Sequence, residues 1–385
     1  MELFDSTKKV LFDILKDVDC GKIQLPDFQR GWVWDDNRIK GILASVAKSF
    51  PIGAVMLLET GNENIRFKTK PIEGVQGLNG NKPEMLILDG QQRITSLFQA
   101  IKTKRVVNTR NDKGYEIKRW YYIDMVKALE PGIDVEEAIF SINENKIITE
   151  NIGRKVVLDL STEENEFKNL MYPVCMVDDY SVWRRKFNKY WEHDSEKSEF
   201  WDEFEDKIIN SFNSYYLPVI LMMKENPKEA VCQVFEKVNT GGVSLTVFEL
   251  LTASFASEEF DLKADWEDIK KIIKPFKVLN NISNTDIIQA ITLYSTYKNR
   301  LNVSPLGNSE NAPAVSAKRK EMLNLKLSDY EKYRNEIVRG FIKASKILVE
   351  NHIFNARDLP YSTQLVPMSA ILAKLGDKIE NIGNK

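Results

Sequence analysis

Histidine is nearly absent from this sequence, and its scarcity restricts the chemistry that the chain can perform. The two histidines, His193 and His352, stand far apart, and neither has a metal-ligand partner at helical or knuckle spacing. We therefore do not expect a zinc site or a histidine-metal nuclease site built from this chain alone. Each histidine is better interpreted as a surface residue or a satisfied structural one.

Cysteines and long apolar runs are also scarce. The three cysteines, Cys20, Cys175 and Cys232, are odd in number and widely spaced, so they predict neither a disulfide framework nor a metal pair. No apolar run approaches the roughly 18 residues of a membrane span, and the first residues lack the basic start and apolar core of a signal peptide. We expect a cytoplasmic protein without a membrane partner.

An excess of positive charge is lacking as well. The 54 lysines and arginines are balanced by 56 aspartates and glutamates, which gives a formal net charge of −2. Any contact with nucleic acid must therefore come from local basic patches. A hydrophobic content of 43% is typical of a globular chain, and 385 residues are enough for two or three domains.

The hydrophobic patterns predict an α+β chain in three parts. Residues 1–125 read as an α/β domain, residues 126–180 as an insertion with strand-like segments, and residues 181–385 as a mostly helical domain. Short apolar runs bounded by turn residues predict strands at 54–58, 85–88, 118–124, 155–158 and 215–222. Helical spacing or capping residues predict helices at 3–18, after Asp35 or Asp36, at 227–238, after the Thr246–Glu249 capping box, and at 263–279, 284–299 and 329–350.

The most informative segment is Leu86–Phe98, in which an apolar run ends in Asp-Gly and helical spacing begins at once. It predicts a buried strand, a corner at Gly90 and a helix whose first turn holds Gln91, Gln92 and Arg93. Free N–H groups at a helix start, beside a glycine that admits close approach, suit an anion. The charge of Arg93 opposes the helix dipole there, unless a phosphate binds between them. A plain strand-to-helix corner with solvent-facing polar residues fits the same pattern.

Two further segments combine a tight backbone with polar side chains. Gln29 and Arg30 stand in an extended aromatic stretch, and Asn239–Gly242 follows a predicted helix. Each segment taken alone has a plain structural interpretation. Gln29 and Arg30 then only flank an aromatic anchor, and Asn239–Gly242 only ends a helix in a left-handed cap. Their occurrence together with the Asp89–Arg93 corner favours a shared site.

Four sequence blocks carry a family resemblance. They are LPDFQRGWVW at 25–34, FPIG at 50–53, LDGQQRITSL at 88–97 and FEKVNTGGVSL at 235–245. In this order they closely resemble the signature blocks of the GmrSD-type restriction endonuclease N-terminal family. The first domain of that family is similar to the ParB/sulfiredoxin fold, in which a Gly-Glu-Arg-Arg motif holds nucleotide phosphates. The equivalent motif here is Gly90–Arg93.

The resemblance implies a bacterial anti-phage protein that binds and hydrolyses GTP, CTP or ATP, with Mg²⁺, and is coupled to restriction of modified DNA. Catalytic roles are then expected for Asp89, Gln91, Gln92 and Arg93. Arg93 would neutralise phosphate charge, a glutamine would position the attacking water, and Asp89 would orient water or hold the metal. Nucleotide contacts are expected from Gly90, Gln29, Arg30, Asn239, Thr240, Gly241 and Gly242.

One departure from the family pattern is the missing nuclease. Members that cut DNA use a His-Asn-His nuclease domain or partner subunit, and the sequence has no matching residues. We expect the nucleotide-handling subunit of a two-part system or a fragment without its nuclease end, and a homodimer is compatible with either. The alternatives are a non-hydrolysing switch that binds nucleotide or DNA, and a ParB-like domain that nicks DNA itself.

Two basic segments are candidates for contact with DNA. The first spans residues 102–119, and the second, Trp183–Trp191, interleaves cations with aromatics, a mixture that holds phosphates and stacks bases. A solvated basic face with its aromatics toward the core explains each segment equally well. The candidate DNA-binding residues are Lys104, Arg105, Arg119, Arg184 and Arg185.

Overall fold

The computed structural model describes residues 4–62, 67–77, 81–150, 155–238, 246–304 and 312–376. The chain forms two compact units, Met1–Asn62 with Thr69–Asn226 and Glu63–Lys68 with Pro227–Lys385. The first unit combines strands and helices, and the regular elements of the second unit are helices wherever the structure describes it. The expected mixture of α and β structure is therefore confirmed.

The strands of the first unit are short and, in the described part of the chain, form three sheets. In chain order they are β1 (Phe4–Val10), β2 (Ile23–Pro26), β3 (Val55–Glu59), β4 (Thr69–Lys70), β5 (Met85–Asp89), β6 (Val107–Arg110), β7 (Glu116–Asp124), β8 (Ile139–Ile142), β9 (Ile147–Glu150), β10 (Lys155–Asp159), β11 (Met171–Pro173) and β12 (Tyr216–Met222). The largest sheet has the order β1-β12-β3-β5-β2-β4. A second sheet is built on β7, which pairs with β6, β8 and β11, and β9 pairs with β10.

The helices of the first unit pack around these sheets. They are α1 (Leu11–Asp19), α2 (Asp36–Ala47), α3 (Gln91–Leu97), α4 (Met125–Leu129), α5 (Val135–Ala138), α6 (Glu163–Lys168), α7 (Tyr180–Tyr190), α8 (Ser195–Phe204) and α9 (Asn210–Asn213). Asp35 caps α2 by accepting a hydrogen bond from the Arg38 N–H, as the sequence predicts. The helical path of α3 continues into a π-helical turn, Phe98–Lys102.

The first element differs from the sequence-based expectation. Residues 3–18 were expected to form one helix, but Phe4–Val10 is a strand and the helix begins at Leu11. All seven residues of β1 pair antiparallel with β12, the strand from Tyr216 to Met222. Backbone pairing with so distant a segment outweighs the local helical spacing, and no pattern within the first residues reveals it.

The compact first unit extends beyond both expected boundaries, 125 and 180, and ends at Asn226. One reason is β12, which lies between β1 and β3 and is therefore part of the main sheet. Another is the core, in which Trp183, Trp201 and Phe212 are buried in the same cluster as Leu43 of α2. The strands expected at 118–124 and 155–158 are confirmed within this unit.

The second unit is helical in its described residues. Its helices are α10 (Lys228–Val238), α11 (Val247–Ala256), α12 (Leu262–Ile273), α13 (Asn284–Val303), α14 (Arg319–Leu323), α15 (Leu327–Glu350) and α16 (Leu365–Leu375). The capping box of α11 forms with both of its hydrogen bonds, Thr246 to Glu249 and back. Gly340 lets α15 and α16 approach closely, since a Cβ atom there would lie 2.2 Å from the Ser369 carbonyl oxygen. None of the described helices is both long and apolar enough to cross a membrane.

Candidate active site

The predicted corner is present at the end of β5. Strand β5 is buried through Leu86, Ile87 and Leu88 at the centre of the main sheet and ends at Asp89. Gly90 then takes a left-handed conformation, with φ of 93°, and α3 begins at the next residue. A Cβ atom on Gly90 would lie 2.9 Å from the Val55 Cγ2, so the tight turn beside β3 requires glycine.

Arg93 is held by two groups of the protein. Its Nη1 donates to the Ile52 carbonyl oxygen at 2.7 Å, and its Nη2 donates to the Asp89 Oδ2 at 3.1 Å. The carboxylate of Asp89 thus offsets the positive charge that otherwise opposes the helix dipole. The ion pair is open to solvent, because the Arg93 side chain is 20% exposed and the Asp89 side chain is 40% exposed.

A turn at residues 50–53 lies against the Arg93 guanidinium and holds it in place. Gly53 has a φ of 86°, and a Cβ atom on it would lie 2.2 Å from the Arg93 Nη1. The Tyr215 hydroxyl stabilises this turn, donating to the Phe50 carbonyl oxygen at 2.7 Å and accepting from the Ile52 N–H at 3.2 Å. Burial raises the pKa of Tyr215, so the hydroxyl remains protonated and able to donate.

The sequence reasoning missed Gly53 and Tyr215 as residues that position Arg93. The FPIG block was a usable signal for Gly53, because a glycine after Pro51 and Ile52 indicates a turn. Tyr215 carries no such signal, since it reaches the turn from the position just before β12, which is distant in sequence.

The glutamines of the motif bind the backbone of the neighbouring segment. Gln91 is buried, and its Nε2 donates to the Arg30 carbonyl oxygen at 2.7 Å. The Gln92 Oε1 accepts from the Val33 N–H at 2.9 Å, and its Nε2 donates to the Gly31 carbonyl oxygen at 3.2 Å. These bonds hold residues 30–33 against the start of α3, so both glutamines act as loop anchors.

Gln29 and Arg30 lie beside the corner, as the shared-site hypothesis requires. The Gln29 Nε2 donates to the Ile87 carbonyl oxygen at 2.7 Å, while its buried Oε1 has no hydrogen-bond partner in the described part of the chain. The Arg30 side chain is exposed. Asn239, Thr240, Gly241 and Gly242 lie outside the described residues, so their expected contribution stays a prediction.

Three kinds of group at the corner remain open to a ligand. Among the described residues, the backbone N–H groups of Gln91 and Gln92 find no acceptor. Arg93 uses two of its five N–H donors on Ile52 and Asp89. The Asp89 carboxylate is the remaining polar group. Such a set fits an anion with several oxygen atoms, because backbone N–H groups and a guanidinium both belong to the first turn of α3.

A multidentate metal site is not formed by the described residues. They contain no group of three histidine, cysteine, aspartate or glutamate side chains that could hold a metal ion. Magnesium needs fewer protein ligands, since it binds one or two carboxylates together with substrate phosphates. Asp89 could supply one such carboxylate. Both histidines, His193 and His352, are exposed.

The candidate DNA-binding residues fall into two groups with different surroundings. In the second segment, Trp183 and Phe187 are buried in the core, and Arg184 pairs with Asp202 and Glu205 at 2.6 and 2.9 Å. That burial matches the structural interpretation of the segment, although the side chain of Arg185 is exposed.

The first segment is more open. Lys104 forms an ion pair with Asp179, and Arg105 donates to the Gly74 carbonyl oxygen at 2.6 Å. Arg119 lines a cavity beside the aromatic residues of the 25–34 block.

Comparisons with known proteins agree with the sequence blocks. A family model described as the GmrSD restriction endonuclease, N-terminal domain, matches residues 11–256, well over half of the chain and all four blocks. An uncharacterized protein of Methanocaldococcus jannaschii is 29% identical over 314 residues, which cover 76% of this chain and 50% of that protein. The chain thus spans about half the length of this relative.

Proposed function

The chain belongs to the family of the GmrSD restriction endonuclease N-terminal domain, and we propose that it binds and hydrolyses a nucleoside triphosphate within a restriction system. The nucleotide would be GTP, CTP or ATP, and hydrolysis would be coupled to recognition of modified DNA. A nuclease domain or subunit outside this chain would cut the DNA.

The observation that carries the proposal is the Asp89–Arg93 corner. Arg93 is fixed by Ile52 and Asp89 at 2.7 and 3.1 Å, yet it keeps free N–H donors and partial exposure. The N–H groups of Gln91 and Gln92, which find no acceptor among the described residues, add donors without a positive side-chain charge. Together they offer a preorganised set of donors for phosphate oxygens, which is the main requirement of phosphoryl transfer.

Arg93 would stabilise negative charge on the phosphates, and Asp89 would orient the water or the metal ion. The Arg93 guanidinium would bind phosphate oxygens and stabilise the charge that builds up on them as the terminal bond breaks. Asp89 would orient the attacking water or share Mg²⁺ with the phosphates, and that ion would supply further charge neutralisation. The exposed side chain of Arg30, anchored nearby through its carbonyl oxygen, would be a second cation for the phosphates.

Phosphate release tests the proposal. The purified chain is incubated with each of the four ribonucleoside triphosphates and Mg²⁺, with and without DNA. Arg93→Ala should lower phosphate release by about 100-fold, the usual cost of removing one transition-state donor. The matched control is Arg38→Ala, since Arg38 is an exposed arginine that is also paired with a nearby aspartate, Asp35. Absence of release with every nucleotide, or equal release from Arg93→Ala, would contradict hydrolysis at this corner.

A second candidate, a switch that binds nucleotide without hydrolysing it, is favoured by the glutamine contacts. Both amide atoms of Gln92 bind backbone groups, and the Nε2 of the buried Gln91 donates to the Arg30 carbonyl oxygen, so the two glutamines keep little capacity to position a water. Asp89 would then be the side chain of the motif best suited to that task. Saturable binding of a labelled nucleotide, lost in Arg93→Ala but without phosphate release, would identify the switch.

A further inference from the structure

A cavity of about 740 Å³ lies in the first unit, between the Trp32–Trp34 segment and the hairpin of β6 and β7. We propose that this cavity, here called the tryptophan cleft, binds an unpaired nucleotide of a nucleic-acid strand. Its volume falls in the range of about 300–1,000 Å³ that is usual for sites of small organic ligands. The residues that carry the proposal are Trp32, Trp34, Asn108, Arg110 and Arg119.

The aromatic wall of the cleft is held in place. The Trp32 backbone N–H donates to the Glu73 Oε1 at 2.9 Å, and its indole Nε1 donates to the Ser96 Oγ at 3.0 Å. The Trp34 carbonyl oxygen accepts from the Thr109 Oγ1 at 2.8 Å, which ties it to β6. Both indoles are half-buried. A fixed and partly open indole offers a stacking surface for a base at little cost in conformational entropy.

The lining of the cleft carries a net positive charge, since Arg110, Lys118 and Arg119 outnumber Glu116 and Glu144. Within the described part of the chain, no carboxylate lies within ion-pair distance of Arg110 or Arg119. Lys118 is neutralised by Glu144 at 2.7 Å, and Glu116 stands opposite Arg110 in the strand register. The lining thus includes both guanidinium and indole groups, a combination that can contact phosphates while a base stacks.

The shape of the cleft favours an unpaired nucleotide over a duplex. Its indoles line a concave wall together with Asn108, whose amide can donate to and accept from the edge of a base. The amide of Asn143, which also lines the cleft, is bonded to the backbone of Ile147. In a duplex, the faces of the bases are stacked and their pairing edges are occupied. The half-buried indoles of the cleft differ from that of Trp183 in the Trp183–Trp191 segment, which is only 1% exposed and cannot stack on a base.

Fluorescence anisotropy with labelled oligonucleotides of about 20 nucleotides tests the proposal. The probes are oligothymidylate, oligouridylate and a DNA duplex, and no nucleoside triphosphate is added, so the outcome is independent of hydrolysis. The double variant Arg110→Gln and Arg119→Gln should bind the single strands about 25-fold more weakly at about 0.1 M salt, since each lost phosphate contact removes a factor of roughly five. The slope of log affinity against log salt should fall by about 1.4.

The control is the double variant Lys8→Gln and Lys168→Gln, which makes the same change in charge at exposed lysines that do not line the cleft. If thermal unfolding shows that the arginine double variant is destabilised, Arg110→Gln alone should weaken binding about fivefold, since Arg110 is exposed. Preference for DNA or for RNA identifies the sugar, and either supports the cleft. No binding, an equal loss in the lysine control, or tighter binding of the duplex would overturn the proposal.

Discussion

The substitution Gly53→Ala separates the anchoring of Arg93 from ordinary backbone strain. Gly53 has a positive φ of 86°, and the new Cβ would lie 2.2 Å from the Arg93 Nη1 and 3.3 Å from its Cζ. Because the clash is with the end of a flexible side chain, the guanidinium should move away and lose its bond to the Ile52 carbonyl oxygen. The change therefore acts on the candidate site through geometry and leaves every charge in place.

Two terms set the expected magnitude. Holding alanine in a left-handed conformation costs roughly 1–2 kcal/mol. Loss of the Arg93–Ile52 bond adds about 1 kcal/mol, the usual net value of a hydrogen bond, because water can reach the partly exposed guanidinium. We expect the free energy of unfolding to fall by about 2–3 kcal/mol in total. Phosphate release should fall by about 100-fold, as for Arg93→Ala.

Two other glycines supply matched controls for denaturant unfolding and phosphate release. Gly114 has a φ of 83° with no atom near the added Cβ, so Gly114→Ala measures the backbone term alone. Gly41 lies within α2 with open space around it, so Gly41→Ala should stabilise the protein by about 0.5–1 kcal/mol. If Gly53→Ala costs no more than Gly114→Ala and releases phosphate at the unaltered rate, the anchoring of Arg93 at this turn is refuted.

Two further experiments test the hydrogen bonds of Tyr215 and the burial of Cys175. Tyr215→Phe removes both hydrogen bonds to the 50–53 turn and should lower the free energy of unfolding by about 1–2 kcal/mol. The control Tyr216→Phe, at a tyrosine that is 59% exposed, should change that free energy little. Equal effects of the two substitutions in denaturant unfolding would contradict the role of Tyr215 at the turn. Burial raises the pKa of the Cys175 thiol to about 11, so at about pH 8 only one such thiol in roughly 1,000 is ionised. The exposed Cys20 should therefore react with a thiol reagent at least about 100-fold faster than Cys175. If a fast phase persists in Cys20→Ser and labelling maps it to Cys175, the burial of Cys175 is contradicted.

The parts of the fold that follow from local chemistry could be predicted from the sequence. The strand at 85–88 and the corner at Gly90 are confirmed because an apolar run, a glycine and helical spacing succeed one another within a few residues. The caps at Asp35 and Thr246 are confirmed for the same reason, since each side chain binds an N–H three residues later.

The parts that depend on distant partners could not be predicted. Phe4–Val10 was wrongly expected to be helical because its pairing partner β12 begins more than 200 residues later. For Trp183–Trp191, base stacking and a core-facing position of the aromatics fitted the sequence equally well, and only packing with Trp201 and Tyr172 decides that Trp183 is buried. Sequence spacing specifies the face of a helix, and it does not specify which surface that face will meet.

The position of Arg93 changes what the corner can be expected to bind. In sequence, a cation in the first turn of a helix was an anomaly that called for an external anion. In the structure Asp89 supplies the negative charge itself, at 3.1 Å, so the site is electrically balanced before any ligand arrives. A phosphate that binds the Nη2 of Arg93 must therefore compete with Asp89, and Asp89 is released to interact with Mg²⁺ or water when it does. Removal of that competitor in Asp89→Asn should tighten nucleotide binding while it abolishes phosphate release, a separation that a purely structural ion pair would not produce.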